Sequence, residues 1–489
     1  MQIRFGSLGR ETAVPETVQP GADGVTDSAA PADPATLSGS VDRGSLGRPS
    51  TPVSAVLGAF LITLDATVVN VTLPSIGRDL GSGITGLQWV VDAYTLIFGA
   101  LLLSAGAVSD RFGARRMLGV GLFAFMLASA ACGLAPSLGL LIAARMVQGA
   151  AAATIMPCSM ALVREANADP VKRARAVAGW AMGSGIAGAA GPFLGGLLSV
   201  ISWRMVFFVN LPACALALLW VSQARPSPRR PVPFDLPGQV AVIVAMGALT
   251  YGVIEAGAVG LAAPPVWIAL ALAVAASAGF VLSQARGRHP MVPLDIFRSG
   301  SVAITVVVGL AFTAAFTGEP FLYSLYLQQS RGLSPLATGM VFLPMMALSA
   351  ALTPFSPRIV ERIGARVTIV GGQLLMAAGF LVLVVVPPST AGWALALLML
   401  PLGASAPLIV PPVVAVLLNS VEAHRAGTAS AVFNVGRRLG GSMSVALFGA
   451  LVAGSSTFMD GMRTSLVVSS VLLLGTAAAG LRLRPAAEA

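Results

Sequence analysis

The sequence predicts an all-α polytopic membrane protein with 14 transmembrane helices, and three observations carry that prediction. Of 489 residues, 56% are hydrophobic and 10% are charged, with a mean hydropathy of +0.85. Soluble domains carry about 25% charged residues, so 30 Lys/Arg and 20 Asp/Glu cannot cover a water-soluble surface of this size. The apolar residues fall in long separate runs, each able to cross a hydrocarbon core of about 30 Å with about 20 helical residues. The basic residues cluster in alternate connections between those runs, the pattern that orients a polytopic protein. This composition excludes an ordinary soluble enzyme and a largely disordered chain. Long continuous runs, in place of short alternating ones, exclude an outer-membrane barrel.

Residues 1–52 are polar, rich in Gly, Pro, Ser and Asp, and lack periodicity, which reads as a disordered cytoplasmic tail with no signal-peptide core. The apolar runs then fall near 54–73, 89–108, 116–135, 138–162, 175–199, 204–222, 238–256, 265–284, 301–327, 336–357, 367–386, 392–418, 427–452 and 464–482. With the N-terminus inside, the inner segments hold 23 Lys/Arg and the outer loops hold four, Arg78, Arg204, Arg331 and Arg463. That bias requires an even number of spans and puts both termini in the cytoplasm, so the net charge of +10 reads as topology and not as nucleic-acid binding.

An internal repeat organises the spans. Ser-Asp-Arg-Phe-Gly-Ala-Arg at 109–115 and Val-Glu-Arg-Ile-Gly-Ala-Arg at 360–366 each follow an even-numbered span on the inner side. Two related six-helix halves, 53–222 and 298–484, explain the offset if 223–297 holds a linker and two extra central helices, with 485–489 a short cytoplasmic tail. Transporters are commonly built from such repeats, with the substrate bound between them near the midplane.

Charges inside a bilayer are costly, so each one is a functional candidate. Asp65 lies midway through the first span, with Thr67 and Asn70 nearby. A carboxyl there is placed to exchange a proton, or to make a structural hydrogen bond to a neighbouring helix. Arg145, with Gln148 one turn on, lies inside the fourth span. Arginine keeps its charge, so it must face protein or water, where it can hold a carboxylate or bias a proton site. Arg437 and Arg438, beside Asn434, sit mid-span in the thirteenth run. They are placed to balance Asp65, to bind an anionic group, or to serve structure. Asp92, behind Trp89, and Glu319, before Pro320, lie toward the outer side as cavity candidates or solvated groups, and Glu255 reads as a wet helix end. The acids and arginines are near balance, so the cavity does not dictate a cationic substrate.

Gly191, Pro192, Gly195 and Gly196 in the fifth span permit close helix approach and a bend, suiting a helix that packs on the opposite half and closes one side of the cavity. Asp110, Arg111, Gly113 and Arg115, with their repeats Glu361, Arg362 and Arg366, form inner turns able to latch one conformational state. No phosphate loop and no metal-binding pattern is present, so ATP drive and a cofactor are not expected; Cys132, Cys158 and Cys214 read as small buried apolar residues.

Taken together, these segments resemble the major facilitator superfamily, and within it the fourteen-span drug:proton antiporter branch, including actinomycete antibiotic-resistance exporters of the methylenomycin type. The resemblance covers about 54–484 and rests on Leu64-Asp65-Ala66-Thr67-Val68-Val69-Asn70-Val71-Thr72-Leu73-Pro74, Gly106 through Arg116, Arg145-Met146-Val147-Gln148-Gly149, Gly191-Pro192-Phe193-Leu194-Gly195-Gly196, Trp203 to Pro212 and Tyr326 to Pro335. It implies the major facilitator fold and export of a small-molecule drug or antibiotic across the bacterial cytoplasmic membrane, by alternating access and in exchange for protons. It also implies that Asp65 and Arg145 serve coupling and that the span-5 glycines serve antiport; a monomer is the default expectation. Two departures stand out: Ala187 replaces a usual glycine, and spans 10 and 13 lack the acidic residue of some multidrug members, which disfavours dications. A proton-coupled importer or exporter of a metabolite is the alternative on the same scaffold. An enzyme is not expected, because the longest non-membrane segment is the featureless tail.

Overall fold

In a computed structural model of the chain, residues 50–167, 169–229, 233–287, 290–422 and 425–483 are described, and all belong to one unit, Gly47–Ala489. Fourteen long helices run through them. The first six are α1 (Ser50–Leu80), α2 (Ile84–Phe112), α3 (Ala114–Leu134), α4 (Leu138–Glu165), α5 (Pro170–Ser199) and α6 (Met205–Ser222). Two more follow, α7 (Leu236–Val259) and α8 (Pro264–Arg286). The last six are α9 (Gly300–Ser330), α10 (Pro335–Ile363), α11 (Ala365–Val385), α12 (Gly392–Asn419), α13 (Ala426–Ala453) and α14 (Phe458–Gly480).

Every apolar run read from the sequence falls on one of these helices. Thirteen of them, among the described residues, are long and apolar enough to cross a membrane. The other is α13, which has the length, at 28 residues, but carries Asn434, Arg437, Arg438 and many Gly and Ser. Its polarity is tolerable because it packs against α2, α7, α9 and α14. Helices outrun the predicted spans where chain length exceeds the apolar run: α1 continues through Pro74 to Leu80, and Gly81 ends it at φ 65°. The tail predicted at 1–52 lies outside the described residues up to position 49, as do 485–489.

The halves repeat one pairing scheme. Within α1–α6 the close pairs are α1 with α5, α2 with α4, α3 with α4, α1 with α6 and α3 with α6. Within α9–α14 the same pairs recur eight helices later: α9 with α13, α10 with α12, α11 with α12, α9 with α14 and α11 with α14. The repeated inner turns match in backbone too. Gly113 separates α2 from α3 at φ 91°, and Gly364 separates α10 from α11 at φ 82°. A side chain is strained at such angles, which explains the glycine in both copies.

The halves meet symmetrically through α2 with α13 and α5 with α10. The contacts lie toward the end of the bundle away from the Arg111–Arg116 turn. There the Gln88 amide donates to the Val445 and Ala446 carbonyls at 3.1 and 2.7 Å. Gln328, in a π-helical turn at the end of α9, donates to the Val71 carbonyl of α1 at 2.7 Å. A Cβ on Gly196 would stand 2.6 Å from the Pro335 carbonyl oxygen, so α5 and α10 touch backbone to backbone. The extra helices α7 and α8 pack on each other, and α7 also lies against α2 and α13. Gln239 of α7 donates to the Ala100 carbonyl at 2.9 Å and accepts from Ser104, both on α2.

Candidate functional site

A closed polar network lies inside the first half. Asp65 of α1 and Arg145 of α4 form an ion pair, Oδ2 to Nη1 at 2.5 Å, with side chains 0% and 1% exposed. The other carboxylate oxygen accepts from Gln148 Nε2 at 2.8 Å and from Asn210 Nδ2 of α6 at 3.0 Å. Gln148 Nε2 and Asn210 Nδ2 also reach Ser129 Oγ of α3, at 2.7 and 3.2 Å. Arg145 also donates from Nη1 to the Gln148 amide oxygen at 2.8 Å and from Nε to the Val90 carbonyl at 3.1 Å. Its guanidinium stacks over the Tyr94 ring at 4.3 Å. Five helices thus converge on one carboxylate. A buried charge pair needs hydrogen bonds beyond the pair itself, and here both carboxylate oxygens and the Arg145 Nε and Nη1 have them.

The network answers the choice left open for Asp65: its counter-charge is Arg145, and neither Arg437 nor Arg438 reaches it. Gln148, expected at the cavity, is wholly enclosed because it braces the ion pair. Asn210 and Ser129 were missed. Both are polar residues inside apolar runs, where a side chain that hydrogen-bonds across helices is the expected reason for their presence.

The remaining membrane charges sit around α13. Asp92 of α2 and Glu319 of α9 are fully buried, not solvated, and neither carboxyl has a hydrogen-bonding partner among the described residues. Asp92 faces Ser442 of α13. Gly318, beside Glu319, presses on Phe448 and Ser444 of the same helix. Arg437 donates to Thr313 Oγ1 of α9 at 3.1 Å, and Arg438 lies over the Phe98 ring of α2 at 4.1 Å. Both are half-buried, as is Asn434, whose amide turns back to the Ser430 carbonyl. Asn70 is buried and its side-chain amide oxygen has no partner among the described residues. Glu255 is half-buried near the end of α7.

Among the described residues, the inner turns of the two halves are not joined by an ion pair in this conformation, as a latch that holds only one state allows. Arg115 is spent on its own half, donating to the Val221 and Ser222 carbonyls at the end of α6. Its backbone amide donates to Ser227, whose hydroxyl bonds Glu165 at 2.6 Å. No ion pair holds Asp110, Arg111, Glu361, Arg362 or Arg366 to another described residue, and Asp110, Arg111, Glu361, Arg362 and Arg366 are exposed. The absent latch agrees with halves that meet at the opposite end of the bundle.

The fifth helix carries a motif with an unrecognised twin. Gly191-Pro192-Phe193-Leu194-Gly195-Gly196 in α5 aligns with Gly436-Arg437-Arg438-Leu439-Gly440-Gly441 in α13. Cβ atoms on Gly191 and Gly195 would collide with Thr67 and the Val68 carbonyl of α1. Cβ atoms on Gly436 and Gly440 would press on Val306 and the Leu310 carbonyl of α9. Pro192 lies at the second interface as well, its carbonyl against Gly339 of α10. The twin was legible in the sequence as G-x-x-L-G-G in two corresponding helices.

Comparison with known proteins adds the family. The family model described as Major Facilitator Superfamily matches residues 55–445. The chain belongs to the Major Facilitator Superfamily. It is 38% identical over 409 residues to the multidrug resistance protein Stp of Mycobacterium tuberculosis, covering 82% of this chain and 75% of that one. It is 33% identical over 421 residues to the methylenomycin A resistance protein of Streptomyces coelicolor, covering 86% and 89%. The fold is that of a D-xylose-proton symporter, with a TM-score of 0.67, 17% identity, and coverage of 90% and 98%. The chain is therefore a multi-pass membrane transporter and not an enzyme.

Proposed function

We propose that this transporter exports a small-molecule drug or antibiotic across the bacterial cytoplasmic membrane in exchange for protons, by alternating access. The relatives named for multidrug and methylenomycin A resistance support export. The excess of Lys/Arg in alternate connections supports cytoplasmic termini and a cytoplasmic Arg111–Arg116 end. On that orientation, the contacts between halves close the outer side. The segments 53–222 and 298–484 act as the two moving halves, with 223–297 bridging them.

The observation that carries proton coupling is the enclosed Asp65–Arg145 pair. Adding a proton to Asp65 neutralises the one carboxylate bonded to Arg145 among the described residues and strands a buried guanidinium. A stranded charge costs about 3–5 kcal/mol, enough to shift a two-state equilibrium by two orders of magnitude or more. Protonation thus cannot leave the surrounding five helices unchanged, and Gln148, Asn210 and Ser129 transmit the change to α4, α6 and α3. Gln148 serves here as a positioning residue.

The test is proton movement in everted membrane vesicles containing the chain, followed with a pH-gradient dye while a panel of antibiotics and dyes is added. Collapse of the gradient by at least one compound, absent from vesicles lacking the chain, is the expected result. Uptake of a labelled metabolite by intact cells, with no compound-dependent collapse, would overturn the reading in favour of import.

A further inference from the structure

We propose that Arg437 and Arg438 form the receiving site for a negatively charged group, a carboxylate or similarly acidic oxygen, on the exported compound. The inference deepens the export reading and rests on it.

Position comes first. Both arginines lie 11 and 12 residues after Ala426, about 17 Å along the helix and so near mid-membrane. There a guanidinium is retained only where it faces protein or a wet cavity. The helix is packed by α2, α7, α9 and α14, and both side chains remain half-buried. Arg438 lies against Gly99 and Phe98 of α2 in the opposite half, and Arg437 reaches Thr313 of α9 in its own half, so the pair stands where the two halves meet.

The pair also lacks a counter-charge. Asp65 is consumed by Arg145. Arg437 has a hydroxyl partner, Thr313, and Arg438 has an aromatic face, Phe98; no described carboxylate bonds either one. The nearest acids along the facing helices are Asp92, six residues from Phe98, and Glu319, six residues from Thr313. Six residues span about 9 Å of helix. Both acids are sealed against α13 beyond the arginines, toward the closed end. Tyr94 is the further titratable group in the electrostatic reach of Arg438.

Repetition supplies an independent argument. The same six-residue motif in α5 keeps all three glycines and the leucine but has Pro192 and Phe193 in place of the arginines. Packing of the motif therefore does not need charge. Two adjacent like charges are kept at a position where the duplicated helix does without them, and Phe98 and Phe433 wall them with rings at 4.1 and 5.9 Å. Two guanidiniums between aromatic faces are suited to a planar organic acid, by paired N–H donors and stacking.

The test uses the purified full chain in lipid nanodiscs and three acid–ester pairs: benzoate, 1-naphthoate and anthracene-9-carboxylate, each against its methyl ester. Thermal stability is titrated for the unaltered chain, Arg437→Gln, Arg438→Gln and the double lysine variant R437K/R438K. At least one acid is expected to stabilise the chain at a concentration where its ester does not. Each glutamine variant should weaken that acid about tenfold or more, and the lysine variant should keep part of the binding. Equal stabilisation by acid and ester, no stabilisation by any acid, or undiminished acid binding by glutamine variants that elute as monodisperse particles would overturn the proposal. Compound-dependent proton flux in the vesicle assay alongside such a result would show that the anion site fails while export stands.

Discussion

The two halves share a packing plan and divide the polar chemistry between them. Gly149 of α4 presses on the Tyr94 carbonyl of α2, and Gly403 of α12 presses on the Met345 carbonyl of α10. Counting back from those glycines, Arg145 and Gln148 correspond to Met399 and Leu402, both fully buried. The first half thus holds an ion pair where the second holds an apolar core. The glycine motifs invert this order, with Pro192-Phe193 in α5 and Arg437-Arg438 in α13. Glycine spacing sets how closely helices approach, so it is common to both halves. The charges are not needed for that approach, and each half carries them at a different place.

The largest effect comes from making the first half resemble the second. Arg145→Met alone leaves Asp65 buried and unpaired, and is expected to cost about 3–5 kcal/mol. The triple variant Asp65→Val, Arg145→Met, Gln148→Leu removes the charges together and should recover most of the melting temperature while losing drug-dependent proton flux. Equal melting of the single variant and the unaltered chain would break the comparison.

The interface between halves comes next. Gly339→Ala drives a methyl into the Pro192 carbonyl, and overpacking of this kind costs about 1–3 kcal/mol. The closed end should open more often, read as faster thiol labelling of a cysteine placed at Pro335. Gly185→Ala, with open space at its Cβ, should leave that labelling unchanged. A smaller shift is expected from Gln88→Leu. It removes two bonds to α13 carbonyls, each worth about 1 kcal/mol, and should speed the same labelling less.

The smallest effect belongs to Asp295, in the segment before α9, which pairs with Arg425 at the start of α13. Hydrogen bonding and charge from Arg425 hold the Asp295 carboxyl below its ordinary range. Its stabilisation is therefore fully present above the unfolded carboxylate range, about pH 4, and is lost as pH falls through the lowered folded value. The melting difference between the chain and Asp295→Asn should be small near neutrality and vanish in acid. A difference that grows on acidification would contradict the sign.

Much of this was legible in the sequence. Apolar run length located every helix, since nothing else in the chain satisfies a hydrocarbon core. Asp65 and Arg145 were legible as buried charges, but their pairing was not, because it joins helices 80 residues apart. Asn210 escaped notice because an amide in an apolar run has no charge to flag it. The burial of Asp92 and Glu319 followed from the packing of α13 between α2 and α9, which no local pattern reveals. The contact of Arg115 with the end of α6 in this conformation is set by how α3 folds beside α6, which no local pattern reveals.

The central claim is that Asp65 carries the exchanged proton. Its most direct test is proton release on drug binding, measured with a pH dye in weakly buffered solution. The purified chain and Asp65→Asn would be titrated with a compound active in the vesicle assay. The account predicts drug-dependent proton release by the unaltered chain, and drug binding without release by the variant. Equal release by both would place the proton elsewhere and contradict it.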